Sequence, residues 1–306
     1  MTSPDPVIEC RQLGKRFGRK WAVRGLDLRV PRGAVYGFLG LNGAGKTTTM
    51  RMLLNLLAPT EGSVRVLDLD PQRSEVEVKR RVGYVPDTPC FYEWMTPREM
   101  FAFIAHHRRR AWDDARATAL ADGFGIPVDQ RLDSLSKGQR AKVNLVAAMA
   151  FNPELLLLDE PTLGLDPLAR RQFVEGVLAE YMDAGRTVFI SSHLISEIAG
   201  MVDHIGIMRD GALVTEEPVE SLLARVKRVR LLYDDAPPAG LRCGGLLRAQ
   251  SDGREAVLVV ERFDPNGTPA EVAALGARSV AVEDVSLEDA FIELAGRSTE
   301  ADDETR

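Results

Sequence analysis

The run Gly40-Leu41-Asn42-Gly43-Ala44-Gly45-Lys46-Thr47 has the residue types and spacing to hold the phosphates of a nucleotide. Its glycines let the backbone curl so that successive N–H groups point inward, forming a nest for an anion. In that setting the lysine reaches the β- and γ-phosphates and the Thr47 hydroxyl can ligate Mg²⁺. The whole stretch from Gly40 to Thr48 is therefore expected to bind ATP. A second run, Leu155-Leu156-Leu157-Leu158-Asp159-Glu160, ends an apolar segment in two carboxylates. Asp159 is placed to hold Mg²⁺ directly or through water. Glu160 is placed to act as general base on an attacking water.

Both runs need particular elements around them. Residues 34–39 read as a short buried strand and 47–57 as a helix stopped by Pro59, so the glycine-rich loop joins a strand to a helix N-terminus, whose partial positive charge favours phosphate. Residues 155–158 and 187–191 read as further buried strands. The segments 97–107, 112–124, 137–151, 170–184 and 196–202 read as helices. Alternation of this kind predicts an α/β fold, a largely parallel sheet with helices packed on it. A third motif, Leu135-Ser136-Lys137-Gly138-Gln139, opens the helix at 137–151. Ser136 and the backbone near Gly138 make a second phosphate-binding helix start. Taken alone, Ser136 could equally be an ordinary N-cap. One γ-phosphate does not need two cradles in one chain, whereas a head-to-tail dimer uses both.

The Leu-Ser-Lys-Gly-Gln segment resembles the signature motif of the ATP-binding cassette (ABC) ATPases. Gly164-Leu165-Asp166-Pro167 resembles their D-loop, and His193 within Ser191-Ser192-His193 resembles their switch histidine. The resemblance implies a P-loop ATPase domain with a helical subdomain. It implies Glu160 and His193 as catalytic residues and Phe17 as the ring that stacks on adenine, with Trp21 the lesser candidate. Ser136, Gly138 and Gln139 would touch the ATP held by a second copy or a similar subunit, and Asp166 would lie at that interface. Where the family carries glutamine after the strand at 82–85, this chain has Asp87. An aspartate there would either join Thr47 and Asp159 at the metal through water, or point away and only shape the loop. Residues 285–295 resemble the terminal helix of ABC-2 exporter ATPases, which implies an export system.

Composition bounds the rest. The chain has 306 residues, 45% hydrophobic and 27% charged, with a net charge of −6. That acidity argues against a nucleic-acid partner. Cys10, Cys90 and Cys243 form neither a disulfide framework nor a metal site, which fits a reducing cytoplasm. Apolar runs fall short of the about 20 residues that span a bilayer, and no signal peptide is evident. If the protein works at a membrane, something else must anchor it, and the resemblance implies a separate transmembrane permease that holds it at the inner face. Residues 91, 92, 94 and 95 (Phe91, Tyr92, Trp94, Met95) would either suit an interface with the permease or pack in the core of this chain. Arg108 to Arg110 read as a solvated basic cluster. The expected division is 5–222 for the ATP-binding domain, 223–296 for a small C-terminal α+β domain, and 297–306 for a disordered tail. A cytosolic cassette acting on ribosomes or DNA is the alternative. One cassette, no heptad run and no basic stripe weigh against it.

Overall fold

Strands whose side chains are hidden on both faces form the centre of the larger sheet, as a parallel sheet covered by helices requires. The computed structural model describes residues 5–88, 91–108, 111–181 and 185–295. Cys90, Arg109, Arg110 and the tail at 297–306 lie outside them. The chain divides into two compact units, 1–216 and 217–306.

The first unit runs β1 (Ile8–Phe17), β2 (Lys20–Val30), β3 (Val35–Gly40), α1 (Lys46–Leu53), β4 (Glu61–Val66), α2 (Glu75–Arg81) and β5 (Val82–Val85). It continues with α3 (Pro97–Arg108), α4 (Asp114–Gly123), α5 (Lys137–Met149), β6 (Leu155–Asp159), α6 (Pro167–Tyr181), β7 (Thr187–Ser192), β8 (His204–Arg209) and β9 (Ala212–Pro218), the last crossing the unit boundary. Among the described residues, β5-β6-β7-β3-β8-β9 form one sheet and β2-β1-β4 a second. The pairs β5–β6, β6–β7, β7–β3 and β3–β8 are parallel, whereas the smaller sheet is antiparallel. Every residue of β3, β6 and β7 is buried. The smaller sheet closes over α1 through Leu13, Val23, Leu26, Leu28, Met50 and Leu53 in one core.

Register then fixes the site. Asp159 pairs with Ser191, and Leu39 with Ser192, so the carboxyl ends of β3, β6 and β7 lie side by side. The crevice beyond such ends is where α/β sheets bind ligands.

Several expectations change. The helix expected at 47–57 stops at Leu53, and Asn55 turns the chain with φ of 53°. The helix expected at 196–202 is reduced to a 3₁₀ turn, Ile195–Glu197. Glu197 there bonds to distant residues instead of facing solvent. Arg108 is not solvated: its guanidinium lies 3.4 Å from the centre of the Phe151 ring and donates to the Lys79 carbonyl at 3.2 Å. Burial pulls its pKa down to about 10.

The second unit holds α7 (Val219–Arg225), β10 (Lys227–Leu232), β11 (Leu246–Asp252), β12 (Glu255–Val260), α8 (Thr268–Ala273), β13 (Ser279–Asp284) and α9 (Leu287–Ala295). Its antiparallel sheet has the order β11-β12-β10-β13. The unit begins six residues before the boundary expected at 222/223, because Arg225 of α7 is ion-paired with Glu217 at 2.6 Å and Glu261 at 3.0 Å. No helix among the described residues is long and apolar enough to cross a membrane.

Arg108→Ala removes both the ring contact and the covering of its aliphatic stem. The expected loss is about 1–2 kcal/mol, read as a lower urea midpoint at unchanged slope. An unchanged midpoint would show that the stacked guanidinium contributes nothing.

Candidate functional site

The loop after β3 is shaped by a glycine that no other residue can replace without movement. Gly45 caps α1 with φ of +107°, and a Cβ there would lie 2.5 Å from the Ala22 carbonyl oxygen. This close approach turns the first amides of α1 toward the loop. Lys46, the first residue of α1, folds back over the loop and donates to the carbonyls of Gly40 at 2.7 Å and Leu41 at 3.4 Å.

A cluster of charges converges on the loop. Lys46 Nζ lies 3.0 Å from Glu160 Oε1, with the two side chains 5% and 11% exposed. The other carboxylate oxygen, Glu160 Oε2, lies 2.8 Å from His193 Nδ1 and accepts the His193 amide at 3.4 Å. Glu160 Oε1 has no aligned hydrogen bond, so Lys46 holds it by charge alone. The Glu160 backbone is left-handed, φ of +47°, a conformation that costs a non-glycine residue free energy and recurs at functional sites.

Asp159 sits beneath, fully buried. Its Oδ1 accepts from Ser191 Oγ at 2.7 Å and from Thr47 Oγ1 at 3.1 Å. Its Oδ2 is buried without a partner. Burial pushes the Asp159 carboxyl above its ordinary range, against the lowering effect of Ser191 and Thr47, while Asp87 and Glu160 add a smaller upward push. An orphaned carboxylate oxygen beside a threonine hydroxyl is the oxygen-rich donor set that a hard divalent cation needs. These residues therefore fit Mg²⁺.

The cavity over the loop measures about 280 Å³; Asn42, Gly43, Thr48, Asp87 and Leu163 complete its lining. Asp87 thus faces the site from across the cavity. A larger cavity of about 840 Å³ lies between α4, α5 and α6, beside Phe124 and Lys142. It is remote from these carboxylates and has no phosphate cradle.

Phe17 is 53% exposed, with the Lys15 ammonium 5.4 Å from its ring. Trp21 is half-buried, with the Arg16 guanidinium 5.5 Å from its ring, so Phe17 is the more exposed of the two rings. Ser136, Gly138 and Gln139 do not line the cavity. Ser136 and Gln139 form a capping box at the start of α5: Ser136 Oγ accepts from the Gln139 amide at 3.2 Å and Gln139 Oε1 from the Ser136 amide at 2.9 Å. Asp166 is exposed and accepts from the Ala169 amide at 2.9 Å at the start of α6. The partners that sequence reasoning misses are Ser191, which ties the backbone of Glu160 to the carboxylate of Asp159, and the Lys46–Glu160 pair. Ser191 stands within a recognised motif, but its bond across the strands has no signal in local pattern.

A strand–loop–helix phosphate cradle, with two carboxylates at the end of a parallel strand one strand removed in the same sheet, defines a P-loop nucleoside-triphosphate hydrolase. A family profile described as ABC transporter matches residues 23–163. The bacitracin transport ATP-binding protein BcrA of Bacillus licheniformis is 31% identical over 96% of this chain and 98% of its own length. The daunorubicin/doxorubicin resistance ATP-binding protein DrrA of Streptomyces peucetius is 34% identical over 98% of this chain and 97% of its own length. Among solved structures, a dimeric ATP-binding cassette in a post-hydrolysis state with ADP and phosphate shares the fold, with a TM-score of 0.61 and 23% identity over 69% of this chain and 98% of that one. The chain belongs to the ATP-binding subunits of ABC transporters, and is an ATPase of that family. A cassette acting on ribosomes or DNA is not favoured by these relatives.

Asp159 yields a test in pH. Because burial raises its carboxyl, ionising it costs the folded state stability, a cost that grows as pH rises from the ordinary carboxylate value of about 4 through the raised one. Asp159→Asn removes that cost and keeps an acceptor for Ser191 and Thr47. In metal-free buffer near neutral pH the variant should melt at or above the wild-type temperature, the difference closing below about pH 4. A clearly lower melting temperature at neutral pH would refute the stated burden.

Proposed function

We propose that this chain powers an export transporter by hydrolysing ATP at the cavity over Lys46, with Glu160 as general base and His193 as its positioning and phosphate-sensing partner. The observation that carries the reading is the Lys46–Glu160–His193 cluster, with contacts of 3.0 and 2.8 Å over a phosphate cradle.

Gly40 to Thr48 would wrap the phosphates with backbone amides, and Phe17 would stack on the adenine. Thr47 and Asp159 would hold Mg²⁺, with Asp87 reaching it through water. Bound there, the cation supplies charge that neutralises the phosphate oxygens. Lys46 would exchange Glu160 and the Gly40 carbonyl for phosphate, which frees Glu160 to accept a proton from the attacking water. The His193 ring would hold the Glu160 carboxylate in register with the γ-phosphate. These contributions are positioning and charge stabilisation, the main sources of catalysis in phosphoryl transfer.

The signature segment lies outside the cavity of its own chain, which supports a second subunit. In that arrangement Ser136, Gly138 and Gln139 of one copy cap the nucleotide of the other, and Asp166 lines the contact between them. A homodimer is the simplest assembly. Tyr92 and Trp94 are 56% and 60% exposed, and with Phe91 and Met95 they offer an aromatic surface to a separate permease chain. That chain would hold the ATPase, as a peripheral protein, against the cytoplasmic face of the membrane and select the cargo. Export is supported by the relative named for drug resistance. The ATP-binding domain and the small C-terminal domain would divide these tasks, the latter supporting dimer contacts or regulation.

Glu160→Gln should lower hydrolysis by roughly 10²-fold or more and, with ATP and Mg²⁺, trap a dimer detectable by light scattering. Normal hydrolysis by this variant would remove Glu160 from the base role. Loss of hydrolysis without a dimer would keep the chemistry and make dimerisation dependent on the permease.

A further inference from the structure

One buried carboxylate outside the proposed machinery touches both ends of the loop that follows Glu160. Glu197 sits on the 3₁₀ turn just after His193, and its side chain is 3% exposed. Thr162, itself buried, donates its hydroxyl to Glu197 Oε2. Arg170, in the first turns of α6, brings Nη2 to 2.7 Å from Glu197 Oε1 and to 3.4 Å from the Leu165 carbonyl. Thr162 immediately precedes the loop 163–166 and Arg170 follows it, so one carboxylate closes the loop at both ends.

Within the loop the Leu163 amide donates to the Glu160 carbonyl and the Leu165 amide to the Thr162 carbonyl, both at 3.1 Å, and Leu165 is buried. Leu163 and, just beyond, Leu168 are 44% and 66% exposed. Gly164 turns with φ of +71°, and a Cβ there would lie 2.2 Å from Lys137 Nζ, so the lysine of the signature segment lies across the turn. At its other end the Glu197 turn is short and fixed: Ser192 Oγ accepts from the Leu194 amide at 3.0 Å and the Glu197 amide donates to the Leu194 carbonyl at 3.2 Å. Leu194, which both bonds hold, is the residue after His193, and His193 contacts Glu160.

We infer that Glu197 is a positioning residue for hydrolysis, one that ties the loop 163–166 to the His193 segment and so sets His193 against Glu160. This inference rests on the proposed pairing of Glu160 and His193. The geometry also leaves room for a second arrangement. Arg170 Nε and Glu197 Oε1 make no aligned hydrogen bond, so the pair is held by charge rather than by a matched fork, and partly satisfied networks of this kind can re-pair when one side moves. A subunit docking on Leu163 and Leu168 would push the loop, and the carboxylate would carry that push to His193.

The test is steady-state ATPase kinetics of wild type, Glu197→Gln, His193→Ala and the double variant, with melting temperatures alongside. Glu197→Gln keeps the acceptor for Thr162 and removes the charge that Arg170 needs. Expected is a fall in kcat of on the order of 10- to 10²-fold, the size of a small misplacement of reacting groups, with KM for ATP unchanged. The double variant should match His193→Ala, because both act on one contact. If His193→Ala loses activity while Glu197→Gln keeps full kcat, or if the two losses multiply, the inference falls and the catalytic pairing stands. If His193→Ala itself hydrolyses normally, the pairing falls and takes the inference with it. Should Glu197→Gln fail to fold, Thr162→Val replaces it, with the same expectation of a lower kcat, constant KM and no additivity. A rise in KM without a fall in kcat in that variant would assign Thr162 and Glu197 a packing role and overturn the inference.

Discussion

Three charged groups, the Lys46 ammonium and the carboxylates of Asp159 and Glu160, are held together largely out of water at the ends of β3 and β6. Charges in such a place attract and repel far more strongly than in solvent, and each carries a desolvation cost that only its neighbours can offset. Lys46 and Glu160 offset one another. Asp159 has only neutral donors on one oxygen and nothing on the other. The cluster is thus balanced for an incoming pair of opposite charges: phosphate to take the lysine, and a cation to take the aspartate.

Holding charges this close requires a rigid frame, and the sheet supplies it. A strand buried on both faces that slid by one residue would exchange its side chains between two close-packed faces and break the packing on both. Core packing thus favours the register that sets Asp159 beside Ser191. Ser191 then adds a second constraint, linking the carboxylate of one residue to the backbone of the next. The smaller antiparallel sheet closes over α1 and anchors the loop from the other side, where Gly45 passes against the Ala22 carbonyl.

The legible parts of this molecule are those where local pattern and position coincide. The glycine-rich loop, the apolar run ending in two carboxylates and the Ser136 helix start are read from neighbours a few residues away, and the structure places each at the expected junction of elements. The boundary at 216/217 and the fate of residues 196–202 were not legible, because each depends on partners distant in sequence: Arg225 on Glu261, and Glu197 on Thr162 and Arg170. Arg108 is the sharpest case. Three consecutive arginines look like a solvated face, yet the first stacks on a phenylalanine more than forty residues away. The charge cluster itself is the same kind of object, two motifs visible singly whose contacts appear only on folding.

The left-handed backbone at Glu160 has a bearing on how such a protein could be improved. Glycine and asparagine rest in that conformation more comfortably than glutamate does. Natural proteins retain such local penalties where function demands them, and stabilising changes often lie at just these positions. A glycine or asparagine at 160 would relieve that penalty but leave the buried Lys46 ammonium without its counter-charge, so the electrostatics of the site hold the strained glutamate in place even where stability alone is selected.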